Sequence, residues 1–383
     1  MSELLTYRSD LDELLDGIRD AGSRPLPLGR TLPPAAYRSP ELYELEVSEL
    51  FRPGWIVVGH VSEVPEPGDY RCVDLIGEQL VLVRDRQGTL HVLSRVCLHR
   101  WMEVASGKGN AKAFQCPYHL WTYSLDGRLV GTPEMQKAEH FDRAACRLPE
   151  IRHEIWRGLV FINLDGNAQP LGPQLAPLDQ QLDRQPGMDM GNHVVVNEFD
   201  WGDEPGGECT WDWKIFIENF MECYHHLGPH RASLQKRSPA QLSWTDTSNH
   251  AYSLMYTGVS PEWMAEQPEE AEAFALVHIY PLTILGGSRR QGTVLHQIYP
   301  TGTGRSRVIS KSLSRPEEMA EDDWPEKLAK RIEQAEKINR EDLSVNRGTQ
   351  RAVVASNAKP GRLSHLEQPL WEFYQYLARK LCA

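Results

Sequence analysis

The sequence predicts an α+β fold in which an all-β module precedes a region of strands and long helices. Between Trp55 and Asn163, short runs rich in β-branched and aromatic residues alternate with turn residues, which indicates an all-β module of about a hundred residues. After residue 191, strand-like runs accompany two long helical segments, a combination that indicates an α+β domain. A chain of 383 residues has room for two or three domains.

Two helices are predicted ahead of the β module. Residues 1–22 carry apolar side chains in an approximately helical rhythm, at Leu4, Leu5, Leu11, Leu14, Leu15 and Ile18. A stretch rich in proline and glycine, Arg24–Pro40, ends this helix. A shorter helix is predicted over Glu41–Phe51, and Pro53 and Gly54 stop it.

The strands of the β module are short, and turns such as Pro67-Gly68-Asp69 separate them. The predicted strands are Trp55–Gly59, Tyr70–Leu75, Gln79–Arg84, Leu90–Leu93 and Leu159–Asn163. The next segment, Gly166–Gly191, is rich in Pro, Gly and Gln and is interpreted as a linker.

The second half combines strands with helices. Its predicted strands are His193–Phe199, Ala251–Tyr256, Val294–Tyr299 and Arg307–Ser312, and its predicted helices are Asp212–Leu227, Trp324–Arg347 and Leu370–Leu381. We therefore divide the chain into an N-terminal helical segment (1–50), an all-β domain (51–165) and an α+β domain (166–383), with the first packing on the third.

Composition excludes several classes of function. The net charge of −12 disfavours a broad surface for nucleic acid or an anionic membrane. The N-terminal stretch lacks the basic and apolar regions of a signal peptide, and no apolar run approaches membrane-spanning length. Seven widely spaced cysteines argue against a disulfide framework, so we expect a cytoplasmic location with reduced thiols.

The first chemical constellation is Cys97-x-His99 followed, after sixteen residues, by Cys116-x-x-His119. Two thiolates and two imidazoles on two short loops of a β module are the ligands of a Rieske [2Fe–2S] centre, in which two His replace two Cys on one iron. A structural zinc with Cys₂His₂ ligands is an alternative, although zinc modules usually group their ligands more widely. A second alternative makes the cysteines ordinary core residues.

The second constellation surrounds Glu222, His225 and His230. Glu222 and His225 are three residues apart on a predicted helix and share a face. His230 lies about 140° away from His225 on a regular helix, but Gly228-Pro229 can turn the chain and bring the two imidazoles together. Two His and one carboxylate form the facial triad of non-haem Fe(II) oxygenases. We choose Asp342 as that carboxylate, with the adjacent Glu341 as the alternative; a polar helix cap without metal is the simpler interpretation of the two histidines.

The first motif resembles the Rieske domain family over about Trp55–Asn163, and the two motifs together resemble the α subunit of Rieske non-haem iron oxygenases, also called aromatic ring-hydroxylating oxygenases. Arg100–Met102 and Tyr118 lack the extra cysteines of the high-potential respiratory type. The family motif acid-x-Tyr-His-x₄-His is matched by Glu222, Tyr224, His225 and His230, and the late acidic residue followed by Gln is matched by Asp342 and Gln350.

This resemblance implies a helix-grip (START or Bet v 1-like) catalytic domain with an antiparallel sheet. It implies a Rieske cluster on Cys97, His99, Cys116 and His119, and a mononuclear Fe(II) on His225, His230 and Asp342. It also implies a head-to-tail homotrimer in which Glu222 bridges His119 of one subunit and His225 of the next.

The implied function is that of a terminal oxygenase. It would use O₂ and electrons from a separate ferredoxin or reductase to hydroxylate or oxidatively demethylate a small organic substrate. The segment Gly302–Arg307 lacks the third glycine of a dinucleotide motif, so no NAD or flavin site is expected.

The substrate class is inferred from one short run of residues and from the aromatic residues of the second half. The run Glu222-Cys-Tyr-His resembles members that oxidise quaternary amines, whose cation an aromatic box would bind. Residues that could form one are Trp211, Trp213, Phe220, Tyr252, Tyr256, Tyr280 and Tyr299. An aromatic or carboxylate substrate oriented by Arg289 or Arg290 is an alternative, and so is a non-catalytic Rieske electron-transfer protein.

Overall fold

A computed structural model describes residues 2–185, 187–202, 204, 207–268 and 272–382, with side chains from Asp10 onward. Met1 and the side chains of Leu4 and Leu5, which belong to the predicted N-terminal helix, lie outside the described residues. The helices are α1 (Ser2–Ser23), α2 (Pro40–Glu46), α3 (Leu171–Leu182), α4 (Trp213–Phe220), α5 (Leu234–Arg237), α6 (Pro261–Glu266), α7 (Pro316–Met319), α8 (Trp324–Ala352) and α9 (Gln368–Leu381). None of the helices within these ranges is long and apolar enough to cross a membrane.

Ten strands build the first half of the chain, and they form three antiparallel sheets. The strands are β1 (Ile56–His60), β2 (Asp69–Leu75), β3 (Glu78–Arg84), β4 (Leu90–Ser94), β5 (Lys108–Asn110), β6 (Phe114–Gln115), β7 (Thr122–Tyr123), β8 (Leu129–Gly131), β9 (Arg152–Trp156) and β10 (Leu159–Asn163). Their orders are β1-β10-β9, β4-β3-β2-β5 and β6-β7-β8. All five predicted strands of the β module are present, within a residue or two at their ends.

The second half contains one seven-stranded antiparallel sheet of order β11-β17-β16-β15-β14-β13-β12. Its strands are β11 (Val194–Asp200), β12 (Ser243–Thr245), β13 (Tyr252–Thr257), β14 (Phe274–Ile279), β15 (Thr283–Ser288), β16 (Gly292–Gly302) and β17 (Arg305–Ser314). Helices α4 and α9 pack against one face of this sheet, and leucines of α3 pack against the other. This mixture of helices with antiparallel sheets is the predicted α+β class.

Strands β14 and β15 were missing from the sequence interpretation. Both are almost entirely buried, so neither alternates polar with apolar residues, and β15 carries Gly286 and Gly287 in its interior. Glycine is depleted in strands, so β15 lacked the run of β-branched and aromatic residues by which the equally buried β1, β10 and β13 were predicted.

The predicted linker Gly166–Gly191 is wrong, because α3 occupies its middle. Leu171, Leu175, Leu178 and Leu182 lie on one face of α3 and are buried. The prolines and glutamines on the remaining faces hid this leucine stripe. Within the interpreted segment, Pro186 lies outside the described residues.

The predicted helix Asp212–Leu227 is also wrong in its second half. Helix α4 ends at Phe220, and a separate 3₁₀ turn covers Tyr224–Leu227. The Glu222 carboxylate accepts the backbone N–H of His225 at 3.1 and 3.3 Å. A side chain that captures a backbone donor in this way competes with helix continuation, so Glu222 sits in the break rather than on a helix face.

The N-terminal helices and the β module both contact the second half closely. Helix α1 packs along α9, and Glu46 of α2 pairs with Lys214 of α4 at 2.7 Å. In the β module, Glu63 pairs with Lys311 of β17 at 2.8 Å. These buried ion pairs fix both regions against the sheet and helices that carry the second constellation.

Candidate functional site

The two cysteine loops of the first constellation have the same backbone geometry. The N–H of Cys97 donates to the carbonyl of Met102 while its own carbonyl accepts from Trp101, and Cys116 repeats this with Trp121 and Leu120. Trp101 and Leu120 both have left-handed backbones, with φ of 59° and 60°. Because non-glycine residues rarely adopt this conformation, its repetition indicates two loops built to present the same kind of ligand.

The loops bring all four predicted ligands together. Cys97 and Cys116 are buried, and the rings of His99 and His119 lie 4.5 Å apart. The Nδ1 atoms of both histidines are buried and have no hydrogen-bond partner within the described residues. Two unpartnered imidazole nitrogens beside two buried thiols fit the donor set of a Rieske cluster.

Hydrogen bonds to sulfur support the same interpretation. Backbone N–H groups of Tyr118 and His119 donate to Cys116, although burial outweighs them and raises the pKa of its thiol. The Tyr123 hydroxyl accepts from the N–H of Leu98 at 3.0 Å and lies 3.3 Å from Cys97 Sγ. The hydroxyl therefore donates to that sulfur, as is typical of thiolates that hold iron.

The second constellation is assembled from the end of α4, the following turn and α8. Nε2 of His230 lies 2.9 Å from Oδ1 of Asp342, and Nε2 of His225 lies 3.7 Å from the same oxygen. Ligand atoms from these three residues all lie within 4.8 Å of one another. His230 and Asp342 are buried and His225 is half-buried, which leaves one side of the group open, as a catalytic metal requires.

Two glutamates fix the orientation of these imidazoles. Nδ1 of His225 donates to Glu222 at 2.7 Å, and Nδ1 of His230 donates to Glu341 at 2.6 Å. Each ring therefore carries a proton on Nδ1 and turns Nε2 towards Asp342. Ser233 also donates to Glu341 at 2.6 Å.

The structure thus separates the two candidate carboxylates of α8. Asp342 faces both histidines, whereas Glu341 lies behind His230. Asn219 of α4 donates to Asp342 at 3.0 Å. Sequence reasoning missed Asn219 and Ser233, because no spacing rule connects them to partners more than a hundred positions away. It also missed Tyr123, whose partners Cys97 and Leu98 lie 26 and 25 positions away and fit no known motif.

The electrostatics of His230 match a cation site. Burial lowers its pKa, but the hydrogen bonds and charges of Asp342 and Glu341 outweigh burial and leave the pKa raised. The neighbouring His226 behaves differently, since burial lowers its pKa to about 4 and its Nδ1 donates to the carbonyl of Ser238. His226 is accordingly a neutral residue behind the site.

Most residues suggested for an aromatic box lie elsewhere. Tyr252 and Tyr256 pack on the α3 side of the sheet, Trp213 donates to buried Glu46, and Tyr299 donates to Val57. Phe220, next to Asn219 in the chain, borders the second constellation. Arg289 and Arg290 are exposed. Gln350 bonds Asp212 and Tyr37. Within the described residues it makes no hydrogen bond to His225, His230 or Asp342.

Comparison with known families matches both halves of the chain. Residues 54–145 match the family described as the Rieske [2Fe-2S] domain. Residues 193–383 match the family described as the ring hydroxylating alpha subunit (catalytic domain). Each match contains the complete constellation described above for that half.

Individual relatives agree with these matches. The chain is 31% identical to the carnitine monooxygenase oxygenase subunit of Escherichia coli (strain K12) over 272 residues, which is 70% of each chain. It is 32% identical over 227 residues to the carnitine monooxygenase oxygenase subunit of Acinetobacter baumannii, and this alignment spans 59% of that relative. The crystal structure of a quaternary ammonium Rieske monooxygenase in complex with L-carnitine superposes with a TM-score of 0.81 and 25% identity, covering 94% of this chain and 98% of the other. The chain therefore belongs to the α subunits of the Rieske non-haem iron oxygenases.

Proposed function

We propose that this chain is the terminal oxygenase of a multicomponent Rieske system. One observation carries the proposal: a single chain assembles a Cys₂His₂ set with unpartnered Nδ1 atoms and a separate group of two histidines and an aspartate. In this proposal residues 51–165 hold the cluster and residues 166–383 hold the iron, while residues 1–50 pack on the latter. A Rieske electron-transfer protein has no need of the second group.

The four loop residues would hold the cluster. Cys97 and Cys116 supply thiolates from the buried side, and His99 and His119 supply Nδ1 from the side nearer the surface. Tyr123 stabilises the electron-rich sulfur of Cys97 through its hydroxyl. The rings of Tyr118 and His119 stack at 3.8 Å, which keeps that imidazole in place.

His225, His230 and Asp342 would hold the mononuclear Fe(II). When bound, the two iron centres supply one-electron transfer and O₂ activation, respectively. The protein contributes geometry: Glu222 and Glu341 keep both imidazoles in the tautomer whose Nε2 is free to ligate, and Asn219 orients the aspartate. Such supporting carboxylates also raise the basicity of the ligands.

We assign Glu222 a second role as the link between subunits. Its hydrogen bonds within the described chain go to His225 alone. Exposed apolar residues surround both ends of the proposed link: Trp101, Tyr118 and Leu120 near His119, and Tyr224 and Leu227 near His225. Large exposed apolar groups on two surfaces favour association between copies, here a homotrimer in which Glu222 also contacts His119 of a neighbouring subunit.

The variant Glu222→Gln tests this link. Gln keeps the size of the side chain but holds two imidazoles less strongly, so both metal centres should remain at wild-type content. Single-turnover oxidation of the reduced cluster should slow by at least tenfold. Glu367→Gln, which alters a nearby carboxyl without contacting His225, is the control; an unchanged oxidation rate in Glu222→Gln would refute the role.

Electrons would come from a separate ferredoxin or reductase. The sequence offers no dinucleotide motif to bind NADH directly. The purified chain should therefore consume O₂ with NADH only when a reductase is added. Turnover with NADH alone would contradict this part of the proposal.

For the substrate we propose a small quaternary amine that is hydroxylated or demethylated. The support is the Glu222-Cys-Tyr-His run together with the similarity to carnitine monooxygenase oxygenase subunits. The test is O₂ uptake with a surrogate reductase on carnitine, γ-butyrobetaine, glycine betaine and stachydrine, with biphenyl as the aromatic comparison. Stimulation by biphenyl alone would replace this class with the aromatic one.

A further inference from the structure

A row of buried side chains crosses the face of the seven-stranded sheet that α4 covers. The residues in register from β13 to β17 are Ser253, His278, Ile284, His296 and Ser310. His296 is 3% exposed, and its ring lies 4.2 Å from that of Phe220 at the end of α4. Phe220 follows Asn219, which bonds Asp342, and the Asp342 charge is near enough to act on the His296 ring, so His296 lies close to the proposed iron site.

A chain of hydrogen bonds fixes the proton on His296. Trp201 Nε1 can only donate, and it lies 2.5 Å from the hydroxyl of Ser310. That hydroxyl has one proton to give, and its other hydrogen bond in the described chain is to Nδ1 of His296 at 2.6 Å. Ser310 therefore accepts from Trp201 and donates to His296. Nδ1 is thus the acceptor, and the ring proton resides on Nε2.

The Nε2–H group has nothing to bond within the described protein. The atom is buried and no acceptor lies within reach. Burial also lowers the pKa of His296 to about 3, so the ring is neutral at pH 7. A buried donor without a partner carries its full desolvation cost, and such groups in native proteins usually face a ligand or a water molecule.

We propose that His296 donates its Nε2–H to an oxygen acceptor of the substrate and so selects substrates that carry a carboxylate, carbonyl or hydroxyl group. This inference rests on the proposed function, because it places the substrate between the sheet and the iron ligands. Ser310 and Trp201 are positioning residues that act through the tautomer of His296. The class of substrate is then a small molecule with both an oxidisable carbon and an oxygen acceptor.

His278 in the same row provides a matched contrast. Its Nε2 lies 2.9 Å from the carbonyl of Pro281, and a carbonyl can only accept. His278 therefore carries its proton on Nε2 and donates it to a carbonyl of the protein, so it has no unpartnered N–H. Both rings are buried to a similar degree, so replacing either one makes a comparable change in packing.

Binding to anaerobic holoprotein tests the donor without requiring turnover. The probes are two matched pairs, glycine betaine with tetramethylammonium and benzyl alcohol with toluene, which differ within each pair by an oxygen acceptor. Calorimetry should show at least tenfold tighter binding of the oxygen-bearing member of a pair. The preference should fall below threefold in His296→Phe and persist in His278→Phe. A preference that survives in His296→Phe would overturn the proposal.

Neutron diffraction of the holoprotein supplies a second test that needs no ligand. Hydrogen should appear on Nε2 of His296 in the wild type, and Ser310→Ala should lose this fixed tautomer. Hydrogen on Nδ1 in the wild type would overturn the proposal. Neither test depends on oxygen insertion. If the proposed oxygenase activity were wrong but this inference right, the protein would show no O₂ uptake and would still prefer the oxygen-bearing probes.

Discussion

At the scale of single residues, adjacent carboxylates on α8 perform different tasks. Asp342 points between two imidazoles, and Glu341 holds the far nitrogen of one of them at 2.6 Å. The helix places successive side chains about 100° apart, so one residue faces the site while its neighbour reaches around the edge of the His230 ring. On the sequence alone we choose Asp342 and keep Glu341 as the alternative, because composition and spacing cannot separate two adjacent acids in a charged helix.

Replacing Glu341 should weaken the mononuclear site without removing it. Glu341→Gln leaves a weaker acceptor for Nδ1 of His230, and loss of such a partner typically lowers metal affinity by roughly 10- to 100-fold. Metal competition on the purified chain should show this loss while the sulfide content stays constant. Glu336→Gln, on an exposed part of α8, is the control, and equal affinities in the two variants would argue against the role.

The Tyr123 hydroxyl should tune the reduction potential of the cluster. A hydrogen bond to sulfur stabilises the reduced form more than the oxidised form, because the reduced form carries more negative charge. Tyr123→Phe should lower the potential by on the order of 50 mV, as measured by redox titration. Tyr70→Phe is the control, because it removes a hydroxyl of the same module that donates to the carbonyl of Ser106 at 3.4 Å. It should leave the potential unchanged. A shift of equal size in Tyr70→Phe would argue against a specific role of Tyr123 in tuning the cluster.

At the scale of elements, α8 has an unusual buried face. Its buried residues include Asn339, Asp342 and Asn346, at the spacing that puts side chains on one helix face. A polar stripe turned inward is costly unless it meets partners or a bound ion. The sequence predicted this helix and singled out Asp342, but nothing in it showed that Asn339 and Asn346 are buried together with that residue, since charged residues cover the rest of the helix surface.

A buried acid, Glu218, anchors helix α4 to residues outside the proposed iron site. Tyr37 donates to Glu218 at 2.7 Å and Tyr374 of α9 donates at 3.1 Å. Burial raises the pKa of Glu218 to about 8, against an opposing charge on Lys214. The folded chain therefore keeps a proton on Glu218 over a pH range in which the unfolded chain has lost it.

This difference predicts a decline of stability with rising pH. The unfolded carboxyl releases its proton near its ordinary value of 4.5 and the folded one near 8, so stability falls as pH rises between them. Glu218→Gln should remove part of this slope, reducing the loss of melting temperature between pH 5.5 and 8.5 by roughly 5 °C. Burial also raises the pKa of Glu46, to about 7, so Glu46 contributes a slope of its own in both proteins. The effect of Glu218 is therefore the difference between the slopes of the variant and the wild type. Parallel slopes in the two proteins would show that Glu218 is ionised throughout.

Element predictions succeeded where the sequence carries a strong local signal, either an apolar rhythm or a run of β-branched and aromatic residues. Five of the ten strands of the β module and helices α1, α8 and α9 carry such signals, and their patterns located them to within a few residues, whereas the strands β5 to β9 were not predicted. The central hairpin β14-β15 is buried on both sides, and α4 ends where the Glu222 side chain captures the N–H of His225. Tertiary burial therefore hid the hairpin, and local side-chain capture ended α4 earlier than its apolar pattern indicated.

At the scale of the whole molecule, the proposed assembly depends on the exposed surfaces around His119 and His225. Trp101 is 80% exposed at the tip of a cluster loop. An exposed tryptophan of this kind is a characteristic anchor of protein interfaces. The proposed trimer would cover it with the surface near Tyr224 of a neighbour.

Charging this tip should prevent assembly. Trp101→Asp removes the anchor and places a charge in the interface, so light scattering should shift from about three times the chain mass of 43.6 kDa towards one. Val354→Asp changes another exposed apolar residue, 65% exposed at the end of α8, and should stay trimeric. A wild-type protein that is monomeric at micromolar concentration would contradict the proposed assembly.

The presence of two different iron centres in one chain is most directly tested by counting metal and sulfide. Anaerobically purified protein should contain three irons and two acid-labile sulfides per chain, and His225→Ala should lower the iron to two while the sulfide stays at two. A preparation with zinc and no sulfide, or one whose iron content is two before and after this substitution, would contradict the account.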